Sequence, residues 1–279
     1  MFNYILYRIG EFIALHLPIK LCYGIAVFIS DLRYIFVYRD RRAVRENLKV
    51  IFPEKSEGEI KRIRRIMFRN FAKYLADFFR FSKLDMQYLK KNIRLENMHY
   101  LDEALAKGKG AITLSAHLGN WELGGVVIGI LGYPFWVVAL PHKYKKVDNF
   151  FNFQRESKGV KVIPLGKAAR QCLAALNKNE IVALVGDRDF TANGIMVDFF
   201  GKPTLLPEGP AAFAIKTGAS IVPGFMIRNA DDSFTLRMEK PLESGESLLE
   251  LLNRYNVIIE DYIRKYPEQW YMFRRFWKE

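Results

Sequence analysis

A histidine, an asparagine and a glutamate crowd one short stretch, Ile112-Thr-Leu-Ser-Ala-His117-Leu-Gly-Asn120-Trp-Glu122-Leu-Gly-Gly125. Imidazole is the side chain whose ordinary pKa lies nearest neutrality, so His117 is the candidate general base. The apolar run 110–114 reads as a short buried strand, and 124–131 continues as an apolar helix. Asn120 then fits the helix N-cap and Glu122 the first turn, where a carboxylate is favoured. On a continuous helix a five-residue step would turn His117 and Glu122 apart. With His117 in the strand-to-helix turn, Glu122 can reach back to it. A carboxylate on one ring nitrogen fixes the tautomer and leaves the other as a base. Bare H-x4-E spacing is common by accident, and a His at a strand end also serves as a plain turn residue. The apolar strand, polar turn and glycine-flanked helix are what raise this one above chance.

A second charged group, Gly186-Asp-Arg-Asp-Phe190, ends the strongest apolar strand, 181–185. Asp187 and Arg188 read as a solvated turn or as the lip of a site that holds a polar headgroup or orients Arg155. Arg155 lies on a predicted helix, and a guanidinium is the side chain expected to grip phosphate in a forked contact. The four histidines (16, 99, 117, 142) are scattered, so neither a metal site nor a cofactor is expected. Cys22 and Cys172 lack metal-ligand spacing and a neighbouring His, and read as buried thiols of a reducing compartment.

From residue 110 onward strands and helices alternate. Strands are expected at 135–140, 160–165, 181–185, 220–227 and 233–238, with helices at 147–157, 167–177, 208–216 and 248–264. This order predicts an α/β fold, a mixed and mostly parallel sheet flanked by helices, with sites at the carboxyl ends of strands. The segment 191–210 reads as a long glycine- and proline-punctuated loop whose kernel, Val197-Asp-Phe-Phe-Gly201, packs over something apolar. Residues 1–38 are apolar and aromatic but interrupted by charges, and their cleanest run is half the length of a spanning helix. They read as a membrane-associating helical segment lying in the interface, with core helices or one tilted span as the alternatives, and 39–279 as the main domain. A basic cluster, Arg39 to Arg45, leads into a turn near Pro53. The stretch 59–81 is a helix with Lys61, Arg62, Arg65, Arg69 and Lys73 on one face, suited to anionic headgroups at roughly 1 kcal/mol per residue near the surface.

The chain has 279 residues, 50% hydrophobic and 14% aromatic, with a net charge of +13, which excludes disorder and suits an anionic partner. Nucleic acid is disfavoured, because the basic residues lie beside long apolar stretches and no nucleic-acid module is present. A non-catalytic membrane-surface scaffold is the rival that would tolerate loss of His117 and Glu122. The absence of a G-x-S-x-G elbow ranks an esterase low.

His117-Leu-Gly-Asn-Trp-Glu122 resembles the signature of the lysophospholipid acyltransferase superfamily, in its bacterial lipid A (lauroyl/myristoyl) acyltransferase branch. Arg42 with Asn47-Leu48 and Phe52-Pro53-Glu54 matches the same branch, as do Asp187-Arg-Asp, Asp198-Phe-Phe-Gly201, Gly209-Pro-Ala211 and Thr217-Gly-Ala219. Pro267-Glu-Gln-Trp270 with Arg274-Arg-Phe276 resembles the family's tail, except that Phe273 stands where a His is frequent. Mycobacterial phosphatidylinositol mannoside acyltransferases share much of this pattern. The resemblance implies an enzyme at the cytoplasmic face of the inner membrane. It would move a fatty acyl group from an acyl carrier protein or coenzyme A thioester to a hydroxyl of a lipid A precursor or related glycolipid. It makes His117 the general base and Glu122 its partner, and Asn120, Arg155, Asp187 and Arg188 substrate-binding positions. Amides of 117–121 are the expected oxyanion donors.

Overall fold

The computed structural model describes residues 2–189, 194–245 and 247–277. Four helices come first: α1 (Phe2–His16), α2 (Ile19–Phe36), α3 (Tyr38–Ile51) and α4 (Glu57–Phe78). Ser56 and Glu59 close a capping box at the start of α4. After the short α5 (Met86–Asn92) the alternating part begins with β1 (Ile93–Glu96), α6 (His99–Ala106), β2 (Ala111–Ser115) and α7 (Trp121–Ile130). It continues through β3 (Phe135–Ala139), α8 (Lys145–Glu156), β4 (Lys161–Pro164), α9 (Ala168–Leu176) and β5 (Ile181–Val185). A hairpin, β6 (Ile195–Phe199) and β7 (Lys202–Leu206), precedes α10 (Gly209–Thr217), β8 (Ser220–Arg228), β9 (Phe234–Met238) and α11 (Leu248–Lys265).

The main sheet runs β1-β9-β8-β2-β5-β3-β4. All neighbours are parallel except β8 and β9, so the expected α/β architecture holds. Ala-Ile-Thr-Leu-Ser and Ile-Val-Ala-Leu-Val occupy the centre because a parallel strand is covered on both faces and needs near-continuous apolar residues. Their register pairs Ser115 with Val185, and the Gly186 amide donates to the Ser115 carbonyl at 2.8 Å. His117 and Asp187 therefore leave adjacent strands at the same level, two residues beyond a matched pair.

Two expectations change. The basic cluster and most of the stretch expected to lead into a turn form α3 (Tyr38–Ile51), whose Val44, Leu48 and Ile51 are buried at helical spacing while the arginines face outward. The later part of the expected 191–210 loop is the β6–β7 hairpin; Phe190 and 191–193 lie outside the described residues. Phe200 and Gly201, at φ 56° and 72°, make its two-residue turn. The aromatic kernel is packed: Phe199 and Phe200 are buried against Trp277.

Helices α1 and α2 sit against α4, with Asp31 of α2 held by Arg65 and Arg69 of α4. These hydrogen bonds pull the Asp31 pKa down to about 2 despite some burial. Lys73 pairs with Asp232 at 2.7 Å. Three of the five basic residues expected to meet headgroups, Arg65, Arg69 and Lys73, are thus engaged within the fold. The outer faces of α1 and α2 expose Ile9, Phe12, Phe28, Leu32, Ile35 and Phe36 at 51–76%. Among the described residues no single helix is long and apolar enough to cross a membrane; α2 and α3 reach that length only as a pair bent by 93°.

The turn from β2 to α7 requires glycine at 119. Its φ is +64°, and a Cβ there would collide with the Met226 carbonyl. Gly119→Ala is expected to destabilise the protein by about 2–4 kcal/mol, read as a fall in the urea midpoint at unchanged slope.

Candidate active site

The local sequence places the imidazole just ahead of a helix. Asn120 caps α7, its Oδ1 accepting from the Leu123 amide at 3.1 Å, so His117 is left in the turn as the spacing predicts. The carboxylate that meets it is Asp187. His117 Nδ1 lies 2.8 Å from Asp187 Oδ1, and the His117 amide donates to Oδ2 at 3.1 Å. Trp270 Nε1 donates to the same Oδ2 at 2.9 Å. An ionised carboxylate only accepts, so Nδ1 is the protonated nitrogen and Nε2 carries the lone pair.

Glu122 has a different partner from the one expected. It accepts from Arg155 Nε at 2.7 Å and Nη2 at 2.5 Å, a bidentate pair. This also corrects the expectation that Asp187 orients Arg155. The reason is geometric: Glu122 has already turned into α7 and faces α8, while Asp187 arrives beside His117 through the strand register. Arg155 is in the last turn of α8, where a cation is favoured, and is only 8% exposed.

The remaining predicted residues divide. Arg188 lines a cavity of about 540 Å³ together with His117, Trp121, Glu122 and Arg155. Asn120 and Asp187 do not line it; they are 1% and 0% exposed and work from behind. The Asn120 amide nitrogen donates to Asp77 Oδ2 at 3.0 Å. Asp77 in turn accepts from Tyr23 and Arg228, so a buried ion pair backs the turn. The amides of His117, Gly119 and Asn120 are already engaged, by Asp187, the Gln269 carbonyl and the Met226 carbonyl, which removes three of the expected oxyanion donors.

Asp77, Arg228, Gln269 and Trp270 were not assigned roles from sequence. Gln269 and Trp270 belong to the tail motif, and that segment pairs with the turn at His117 through Leu118 opposite Trp270. Asp77 and Arg228 carried a weaker signal, a single charge inside otherwise apolar periodic stretches.

Beyond its polar residues the cavity is walled by Gly125, Ile128, Phe135, Val137, Val160 and Ala183. Successive inward positions of β2, Thr113 and Ser115, place hydroxyls there that have no hydrogen-bond partner among the described residues.

Burial disfavours a charged imidazole, but the Asp187 carboxylate at Nδ1 outweighs it and Glu122 adds to it, so His117 titrates above its ordinary 6.5. Burial alone would raise the Asp187 pKa; its contacts with His117 and Trp270 hold it below the usual value. A raised folded pKa stabilises the fold fully below the unfolded value, and that contribution disappears as pH rises through the folded one. Asp187→Asn is expected to bring the imidazole titration down, followed by NMR of the ring protons, and to abolish this pH-dependent part of stability.

Sequence comparison agrees with the geometry. The family model for bacterial lipid A biosynthesis acyltransferases matches residues 1–279. A phosphatidylinositol mannoside acyltransferase of Mycolicibacterium smegmatis is 29% identical over 90% of this chain and 84% of its own length. The lipid A biosynthesis lauroyltransferase of Escherichia coli is 23% identical over 95% and 88%, and a lipid A biosynthesis acyltransferase of Haemophilus influenzae 22% over 83% and 74%. With the family model matched along its whole length, the chain belongs to the bacterial lipid A biosynthesis acyltransferase family and is an O-acyltransferase.

Proposed function

We propose that the protein transfers a fatty acyl group from an acyl carrier protein or coenzyme A thioester to a hydroxyl of a lipid A precursor or related glycolipid, with His117 as general base. The 2.8 Å contact between His117 Nδ1 and Asp187, at the wall of an apolar cavity, carries this reading. Nε2 takes the hydroxyl proton as the oxygen attacks the thioester carbonyl. The tetrahedral intermediate then collapses, the C–S bond breaks, and the imidazolium returns the proton to the leaving thiolate. Ester and thiol are the products, and no covalent acyl-enzyme is needed.

Asp187 holds the tautomer. Glu122 locks Arg155 at the cavity wall, and Arg155 with Arg188 supplies cations for a phosphorylated headgroup. The apolar part of the cavity suits the acyl chain. Cys172 does not fit a nucleophile's role: burial pushes its thiol up to about 12, and it lies outside the cavity lining. The exposed apolar faces of α1 and α2, the exposed Lys61 and Arg62 and the net charge of +13 support attachment to an anionic membrane, assigned here to the cytoplasmic face of the inner membrane. Residues 1–38 would be the membrane-associating segment of this arrangement.

A second acceptor has its own support, because a relative named phosphatidylinositol mannoside acyltransferase shares 29% identity over most of both chains. That acceptor class also offers a glycolipid hydroxyl beside a phosphate.

With labelled acyl carrier protein and a lipid A precursor, His117→Ala is expected to lose about 10²–10⁴ in rate while its circular dichroism stays that of wild type. A folded variant that keeps its rate refutes the base. The rate should rise with pH through an apparent pKa above 6.5, because the base works deprotonated. If transfer occurs only with a phosphatidylinositol mannoside and acyl-CoA, the second reading replaces the first. Ile128→Phe, which narrows the cavity, should shift donor preference towards shorter acyl chains, measured in competition between two chain lengths at equal thermal stability.

A further inference from the structure

A second cavity, of about 290 Å³, lies between α2 and α4, is flanked by Gly10, Ile13 and Ala14 of α1, and shares no lining residue with the catalytic one. Its α2 wall runs from Cys22 through Ala26 and Ile29 to Arg33, one helical face, and so extends about 16 Å at 1.5 Å per residue. Opposite stand Phe68, Ala72 and Ala76 of α4 and Phe79 at its C-cap, spaced over the same number of turns. The slot exists because Ala26, Ala72 and Ala76 are small where two packed helices normally interdigitate larger side chains.

Three features describe its occupant. The walls are apolar along almost the whole length, so the guest is a hydrocarbon chain. Ile29 lines the slot and is 57% exposed, beside Phe28 at 70% and Leu32 at 52%, so the slot opens on the apolar surface of α2. At one end stand Ser30, Arg33 and Asp40. The Arg33 side chain is 61% exposed and its contact with Asp40, 3.6 Å, exceeds hydrogen-bond length, in contrast to the tight Arg69–Asp31 pair at 2.5 Å. Its guanidinium is available to a phosphate.

We infer that this slot binds one acyl chain of an anionic bilayer phospholipid, with the phosphate at Arg33. The inference rests on the membrane-facing reading of α1 and α2. The chain bound here is no reactant, because aromatic rings separate it from the site: Phe273, at the slot wall, packs on Phe71, Phe71 on Tyr74, and Tyr74 on Trp121 beside His117. Phe273 is the position where the family's tail frequently carries a His, and in this chain it completes an apolar wall.

The test uses the full chain on phosphatidylglycerol–phosphatidylcholine vesicles containing a trace of phosphatidylglycerol with a diazirine at the end of one acyl chain. After irradiation, mass spectrometry should find adducts on the slot-lining residues of α2 and α4. Ala72→Leu and Ala76→Leu, checked for an unchanged melting temperature, should lower those adducts by about tenfold or more while vesicle flotation persists. Arg33→Gln should erase the preference for the phosphatidylglycerol probe over the phosphatidylcholine one. Adducts confined to the outer residues Phe12, Phe28 and Phe36, or slot adducts indifferent to Ala72→Leu, overturn the inference. If wild type does not float, the membrane reading fails separately, and calorimetry with dodecyl phosphate decides the slot. Saturable binding lost in Ala72→Leu upholds it, and no binding overturns it.

Discussion

A carboxylate with no exposed surface governs this site. Asp187 is held ionised by three donors, the His117 ring, the His117 amide and the Trp270 indole. Removing one partner from such a buried pair typically costs about 3–5 kcal/mol, because the charge left behind has no solvent. The structure accordingly invests in its placement. Two central parallel strands must be in register to bring Asp187 to His117, and the chain's tail must return to supply Trp270. The same contact that stabilises the fold sets the tautomer of His117, so the position and the protonation of the imidazole cannot be varied independently.

Two further buried ion pairs flank the turn and do different things. Glu122 and Arg155 fasten the start of α7 to α8 and put a cation on the cavity wall. Asp77 and Arg228 lie behind the turn, where burial pushes the Asp77 carboxyl up against the opposing pull of Arg228 and its hydrogen bonds. Through Asn120 and Tyr23, Asp77 ties α2 to the cap of α7. A turn held from three sides by ionic contacts loses little conformational freedom when substrate arrives, which is what orienting a base demands.

The N-terminal helices divide their charge and apolar surface in a comparable way. Arg65, Arg69 and Lys73 are paired with Asp31 and Asp232, so their charge is offset by acids of the same fold. The apolar residues left outside stand on α1 and α2, and α2 also carries Tyr23. An exposed apolar face and support of the turn at His117 thus meet in α2.

The architecture is legible in the amino-acid order, because buried parallel strands need continuous apolar runs and amphipathic helices need their 3.6-residue period; both patterns are local. That order also determined that His117 lies in a turn, since Asn120 can cap only a helix that begins after it, and the motif order identified the family. It underestimated α3, whose charged arginines masked three buried positions, and took the β6–β7 hairpin for a loop because its turn uses Phe200 at positive φ in place of a residue that announces itself. Partnership, by contrast, is settled by contacts between distant segments. Glu122 and Asp187 are both carboxylates near His117 in the sequence-derived picture, and nothing local distinguishes them. The choice is made by the β2–β5 register, which sets Asp187 beside the imidazole 70 residues away in the chain, and by the helical turn that carries Glu122 round to Arg155.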